Sequence, residues 1–104
     1  KEESIREYIQ IIGVEHYKNY VKMIIDELSI VDEIELDFRF TTFKTMNKYY
    51  QVLDNDLFCK IAMIFAKREM MDKEILGTMK KMNNKFVDVY TSYMVMKEMK
   101  DGTI

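Results

Sequence analysis

The sequence predicts an all-α fold: a bundle of four main helices, the last one long and amphipathic. Three observations carry this prediction. The 104 residues contain no proline and three glycines, so obligatory helix breaks are few. Apolar residues recur at steps of three and four along most of the chain, the spacing of one helix face. No stretch alternates apolar and polar residues over many positions, as a half-buried strand would. With 48% hydrophobic and 33% charged residues, the chain has side chains for both a core and a solvated surface. Its length suits one domain, residues 1–104, and falls short of two.

The first helix is expected from about Glu2 to Leu28. Its apolar stripe is Ile5, Ile9, Ile12, His16, Tyr20, Ile24 and Leu28. Glu2 and Glu3 fall in its first turn, where acidic groups complement the helix dipole. Gly13 lies inside the pattern at a cost of about 1 kcal/mol against alanine, which marks a kink or a close helix contact. Ser29 to Glu33 reads as a turn, with Asp32 or Ser29 as the next N-cap. The second helix then runs from about Glu33 to Leu53, with Leu36, Phe40, Phe43, Met46, Tyr50 and Leu53 on one face.

Asp54-Asn55-Asp56 is the clearest break, because all three residues favour caps and turns. Asp56 is expected to cap a third helix from about Leu57 to Met71, burying Leu57, Phe58, Ile61, Ile64, Phe65 and the stem of Arg68. Asp72 is expected to cap the fourth helix, from about Lys73 to Met99, about 40 Å long. Ile75, Met79, Met82, Phe86, Val89, Tyr93 and Met96 step by four and three in an unbroken heptad seam. Val87, Tyr90 and Met94 form a second stripe beside it. Gly102 suits the left-handed position that closes the helix. The least exposed residues should include Ile9, Ile24, Phe43, Tyr50, Ile61, Phe65, Met82 and Phe86.

Composition removes several function classes. A single cysteine excludes an internal disulfide framework and a cysteine-based zinc site. No apolar run approaches the roughly 18 residues of a membrane helix, and no signal-peptide pattern opens the chain. The expected location is cytoplasmic. The first residue is Lys rather than Met, which reads as a fragment or a processed chain. His16 is the sole histidine and reads as a half-buried structural residue; neither a second histidine nor a nearby cysteine completes a metal site. Cys59 reads as a small buried hydrophobe without a nominated base partner. There is no Glu-x-x-His pair, phosphate loop, nucleophile elbow or His-Glu-x-x-His. The expectation is therefore no enzyme, no metal and no cofactor.

Thirteen aromatic residues and ten methionines leave two readings open: plain core, or an adaptable apolar pocket. Methionine repacks around different shapes, and tyrosine adds a hydroxyl that orients a ligand. Residues 1–56 carry 12 acidic and 7 basic side chains; residues 57–104 carry 6 and 9. Neither half has the dense basic stripe of a nucleic-acid reader.

The opening Lys1-Glu2-Glu3-Ser4-Ile5-Arg6-Glu7-Tyr8 resembles the start of the first ligand-domain helix in TetR-family (tetracycline-repressor-like) transcriptional regulators. The acidic break followed by Leu57-Phe58, the helix ending Lys67-Arg68-Glu69-Met70-Met71, and the long helix closing Met99-Lys100-Asp101-Gly102-Thr103-Ile104 are similar to the same family in order and spacing. Ser4 departs from the large aliphatic residue usual there, and the helix-turn-helix is absent. The resemblance implies a ligand-binding and dimerisation domain, a homodimer whose DNA contact belongs to a missing N-terminal part. It implies a cavity between the first three helices and the fourth, lined by Tyr20, Ile24, Phe43, Met46, Tyr50, Phe65, Met82 and Phe86. No buried charge cluster is evident, so the effector should be apolar or aromatic. Independently of the resemblance, Val87, Tyr90 and Met94 are left outside the seam. They are expected to form the dimer interface, with Lys80, Asn83, Lys97 and Glu98 as its rim, or else to pack against a helix following Ile104.

A second resemblance comes from another class. Ile5-Arg6-Glu7-Tyr8-Ile9, Asp26-Glu27-Leu28 and the run Lys60 to Lys67 are similar to helices of small poxvirus proteins with an apoptosis-regulator (Bcl-like) fold. The Trp-Arg-Asn and Trp-Gly-Arg signatures of that fold are missing. It would imply a protein-binding inhibitor of apoptosis or innate signalling.

Overall fold

The computed structural model describes residues 2–102. The described residues form six α-helices and one 3₁₀ helix, with no strand among them. The helices are α1 (Glu2–Ile12), α2 (Val14–Ile24), α3 (Glu33–Tyr50), α4 (Asn55–Lys67), α5 (Lys73–Met82) and α6 (Phe86–Lys100). The 3₁₀ helix, Ile25–Ser29, continues α2. The chain divides into two compact units, residues 1–57 and 58–104, with the division falling inside α4.

In the first unit, the expected helix from Glu2 to Leu28 is three pieces. Gly13 stands at φ 96° and ψ 150°, a backbone state that side-chain-bearing residues rarely adopt, and it separates α1 from α2. Its N–H still reaches the Ile9 carbonyl at 2.8 Å, so the break redirects the helix without orphaning that acceptor. The break also re-phases the apolar face. Ile9 is buried in α1, but in α2 the buried residues are Tyr17 and Val21, followed by Ile25 and Leu28. A stripe drawn through an unbroken helix therefore misplaces His16, which is exposed.

Asp32 caps α3, its carboxylate accepting from the Glu35 N–H at 2.8 Å. Leu36, Phe40, Phe43 and Met46 are buried, as their spacing predicts, while Tyr50 is half-buried. The helix ends three residues before Leu53, because Gln51 adopts a left-handed conformation at φ 54°. Asn47 organises this exit twice. Its carbonyl accepts from Gln51 N–H at 2.9 Å, and its side-chain Oδ1 accepts from Leu53 N–H at 2.8 Å. Val52 and Leu53 are thereby held buried in non-helical backbone. Asp54, rather than Asp56, caps α4: its Oδ1 accepts from Leu57 N–H at 2.9 Å. The helix thus starts two residues earlier than expected.

In the second unit, α4 buries Phe58, Ile61, Ala62, Phe65 and Ala66. It ends at Lys67, four residues short of the expected Met71. Glu69 takes a left-handed φ of 59°, and Met70 N–H returns to the Phe65 carbonyl at 2.8 Å. Asp72 caps α5 as expected, accepting from Ile75 N–H at 2.8 Å. The expected single helix over Lys73–Met99 is instead two. Asn83 leaves helical geometry at φ −162° and ψ 104°, and its Oδ1 accepts from Lys85 N–H at 3.0 Å. That local side-chain bond competes with the helix ladder, which is why asparagine pairs interrupt helices. The heptad seam does not survive the break. Met79 and Phe86 are buried and Tyr93 is half-buried, but Val89 and Met96 are 46% and 69% exposed. Phe86 meets Phe58 edge-on at 5.5 Å between ring centres and Tyr90 at 6.1 Å. Lys97 reaches back to Glu69 at 3.4 Å.

A candidate ligand cleft in the first unit

Helix α1 packs against both α2 and α3. Two contacts of Tyr49 fix α1 on α3: the Arg6 guanidinium sits 4.0 Å above its ring centre, and its hydroxyl donates to Glu2 Oε1 at 3.4 Å. Because Gly13 turns α2 away from the line of α1, the two helices and α3 enclose an open cleft of about 530 Å³. That size falls within the range of small-molecule sites.

The cleft is walled mostly by rings. Tyr8, Tyr17, Tyr20, Phe38 and Phe43 line it with Ile5 and Ile24. Tyr17 and Phe43 are buried, whereas Tyr8, Tyr20 and Phe38 are each about half exposed. The Tyr17 and Tyr20 rings lie 6.2 Å apart, tilted by 36°. Burial, reinforced by Tyr20, pushes the Tyr17 phenol up to about 12. Its hydroxyl therefore stays a neutral donor throughout the physiological range.

Three polar residues complete the lining: Glu35, Arg39 and Thr42. Arg39 Nε donates to Glu35 Oε2 at 2.9 Å, and Nη1 donates to Glu27 Oε1 at 3.2 Å. Donating hydrogen bonds to Glu35 and then Glu27 holds the guanidinium protonated even more firmly than usual. Thr42 gives its hydroxyl to the Phe38 carbonyl at 3.1 Å. A smaller groove of about 170 Å³ continues between α1 and α3, lined by Glu2, Thr41, Thr45 and Met46 and sharing Ile5, Phe38 and Thr42 with the cleft.

Of the eight residues expected to line a pocket, Tyr20, Ile24 and Phe43 lie together in this cleft, and Met46 lines the adjoining groove. Tyr50 is half-buried at the end of α3. Phe65, Met82 and Phe86 belong to the second unit. Tyr8, Tyr17, Phe38, Glu35, Arg39 and Thr42 were not singled out by sequence. Tyr8, Tyr17 and Phe38 belong to the aromatic set that left a pocket reading open, and their meeting depends on the bend at Gly13. In α6, Val87, Tyr90 and Met94 are half-buried, while Val89, Met96 and Met99 are more exposed. Cys59 is partly accessible. Among the described residues no group of three His, Cys, Asp or Glu side chains is placed to hold a metal ion, and no helix is long and apolar enough to cross a membrane.

No protein-family model matches the sequence, and neither curated proteins nor solved structures give a match to it.

Proposed function

We propose that this chain is the effector-sensing and dimerisation part of a tetracycline-repressor-like regulator, taking an apolar or aromatic small molecule between α1, α2 and α3. The observation that carries the reading is the aromatic cleft of the first unit, where Tyr20, Ile24 and Phe43 meet. An open, largely apolar cleft with a few fixed polar groups is the usual form of a small-molecule site. A ligand seated there bears on α1 and α2 across the Gly13 bend, an element with two rigid arms. Sensing then works by population shift: a ligand that prefers one helix arrangement favours that state by its differential affinity. DNA contact would lie outside these residues, and the acidic pI of 5.4 agrees with that division. Dimerisation through α6 belongs to the same reading.

The neutral dye N-phenyl-1-naphthylamine tests it. Its fluorescence should rise and saturate at one site per chain. Tyr20→Ala and Phe38→Ala remove half-exposed rings from the cleft and should weaken binding by roughly tenfold without lowering helix content. Binding that does not saturate, or that both variants leave unchanged, would falsify the cleft as a ligand site. In the full reading frame, a helix-turn-helix encoded directly before Lys1 supports the regulator, and a different domain in that place sinks it.

A further inference from the structure

The charge of the cleft narrows its ligand. Among its lining residues the charged side chains are Glu35 and Arg39, and no lysine or histidine lines it. Arg39 is bonded by two carboxylates, Glu35 at 2.9 Å and Glu27 at 3.2 Å. The lining itself is balanced, Glu35 against Arg39. With Glu27, which bonds Arg39 from outside the lining, the cluster holds two carboxylates against one guanidinium and carries one net negative charge. Both carboxylates already offset the Arg39 charge through Nε and Nη1, so an anionic ligand gains less from the guanidinium than an unpaired arginine would give. A cation meets the opposite situation. The half-exposed faces of Tyr8, Tyr20 and Phe38 carry the negative side of the ring quadrupole, and Glu35 adds charge at the same wall. The wider field agrees in sign: the first unit carries 12 acidic and 7 basic side chains.

We infer that the cleft selects a lipophilic organic cation, its apolar body held among the aromatic rings and its charge balanced by the surplus carboxylate of the Glu27–Arg39–Glu35 cluster. This inference rests on the cleft being a ligand site, as proposed above, and adds the sign of the ligand.

The test uses two probes of nearly the same shape and opposite charge, tetraphenylphosphonium and tetraphenylborate, titrated calorimetrically into the full chain. Each is also titrated in competition with N-phenyl-1-naphthylamine. The phosphonium should displace the dye and bind at least about tenfold tighter than the borate. The Glu27→Gln/Glu35→Gln double variant leaves Arg39 uncompensated and should remove or reverse that preference, read as the ratio of the two ions' affinities within the variant. Dye binding that persists with equal or tighter borate binding overturns charge selection and leaves the cleft intact as an apolar site. Failure of the dye and both ions overturns the cleft and the inference together. A phosphonium preference that survives in the double variant assigns the selection to other groups and overturns it as well. Should the double variant unfold, the wild-type comparison of the two ions still decides.

Discussion

Gly13 and Gly77 would respond in opposite ways to the same added methyl group. An added Cβ meets nothing within 4 Å at either position, so packing does not distinguish them. The backbone does. Gly13 sits at φ 96°, where a side chain is strained whatever the space, whereas Gly77 lies inside α5. Gly13→Ala should destabilise the chain by about 1–2 kcal/mol, and Gly77→Ala should stabilise it by about 0.5–1 kcal/mol. Thermal melts of the two variants check both signs. Equal shifts would mean that Gly13 is not the hinge between α1 and α2. Tyr17 gives a second prediction at this scale. Its phenol is neutral to about 12 in the folded chain and to about 10 when unfolded. The unfolded chain therefore releases this proton first as pH rises. The contribution is fully present below pH 10 and is lost between there and about 12. Tyr17→Phe should flatten the fall in stability across that window. Ultraviolet titration of phenolate absorbance on the wild type should show one tyrosine ionising late; seven tyrosines ionising together would contradict the burial of Tyr17.

Helix boundaries show where local sequence chemistry is legible and where it is ambiguous. Asp72 stands alone as a cap candidate and Asp32 shares its turn with Ser29; both aspartates bond the N–H three residues on. In Asp54-Asn55-Asp56 the same chemistry is offered three times, and spacing alone does not choose. The tertiary path chooses, because Asn47 draws Leu53 N–H onto its side chain and leaves Asp54 at the cap. The faces of α3 and α4 were legible where each helix is continuous: Phe43, Ile61 and Phe65 are buried, whereas Tyr50 and Ile64 are half-buried and Leu53 lies beyond the end of α3. The break at Asn83 was not legible, since the apolar period runs through it without a gap; at Gly13 a kink was legible from the residue, but the shifted face beyond it was not. A period shows which residues could share a face; it does not show that the helix is unbroken. This is also why three cleft residues were legible and Tyr8, Tyr17 and Phe38 were not, for their convergence depends on the bend. The cap assignment is testable. Asp32→Ala, Asp54→Ala and Asp72→Ala should each cost about 1 kcal/mol, and Asp56→Ala no more than about 0.5 kcal/mol. Denaturant melts that rank Asp56 with the other three would return the cap of α4 to that residue.

The molecule as a whole separates its charge but not its apolar surface: Ile11, Met23, Ile30 and Ile34 of the first unit are each more exposed than Met96 of α6. The first unit carries the acidic excess and the aromatic cleft, while residues 57–104 carry 6 acidic and 9 basic side chains and exposed apolar residues along α6. In α6, Met96 and Met99 are 69% and 61% exposed, and with Val89 they lie along one side of the helix. Contiguous apolar surface of this kind usually marks an interface. Its extent bears on which residues take part. A stable interface covers about 800 Å² on each partner, more than three side chains supply. If α6 meets its own copy across a two-fold axis, the neighbouring half-buried strip of Val87, Tyr90 and Met94 must contribute too. The two strips then differ in a measurable way. Met96→Glu/Met99→Glu changes only exposed positions and should convert a dimer of 12.6 kDa chains to monomers with helix content retained. Tyr90→Glu/Met94→Glu also places charge in half-buried positions, so it should abolish dimerisation and lower thermal stability as well. Light scattering reads the mass, and circular dichroism melts at low concentration read the monomer. A monomeric wild type sinks the interface. A dimer that survives both double variants moves it off α6.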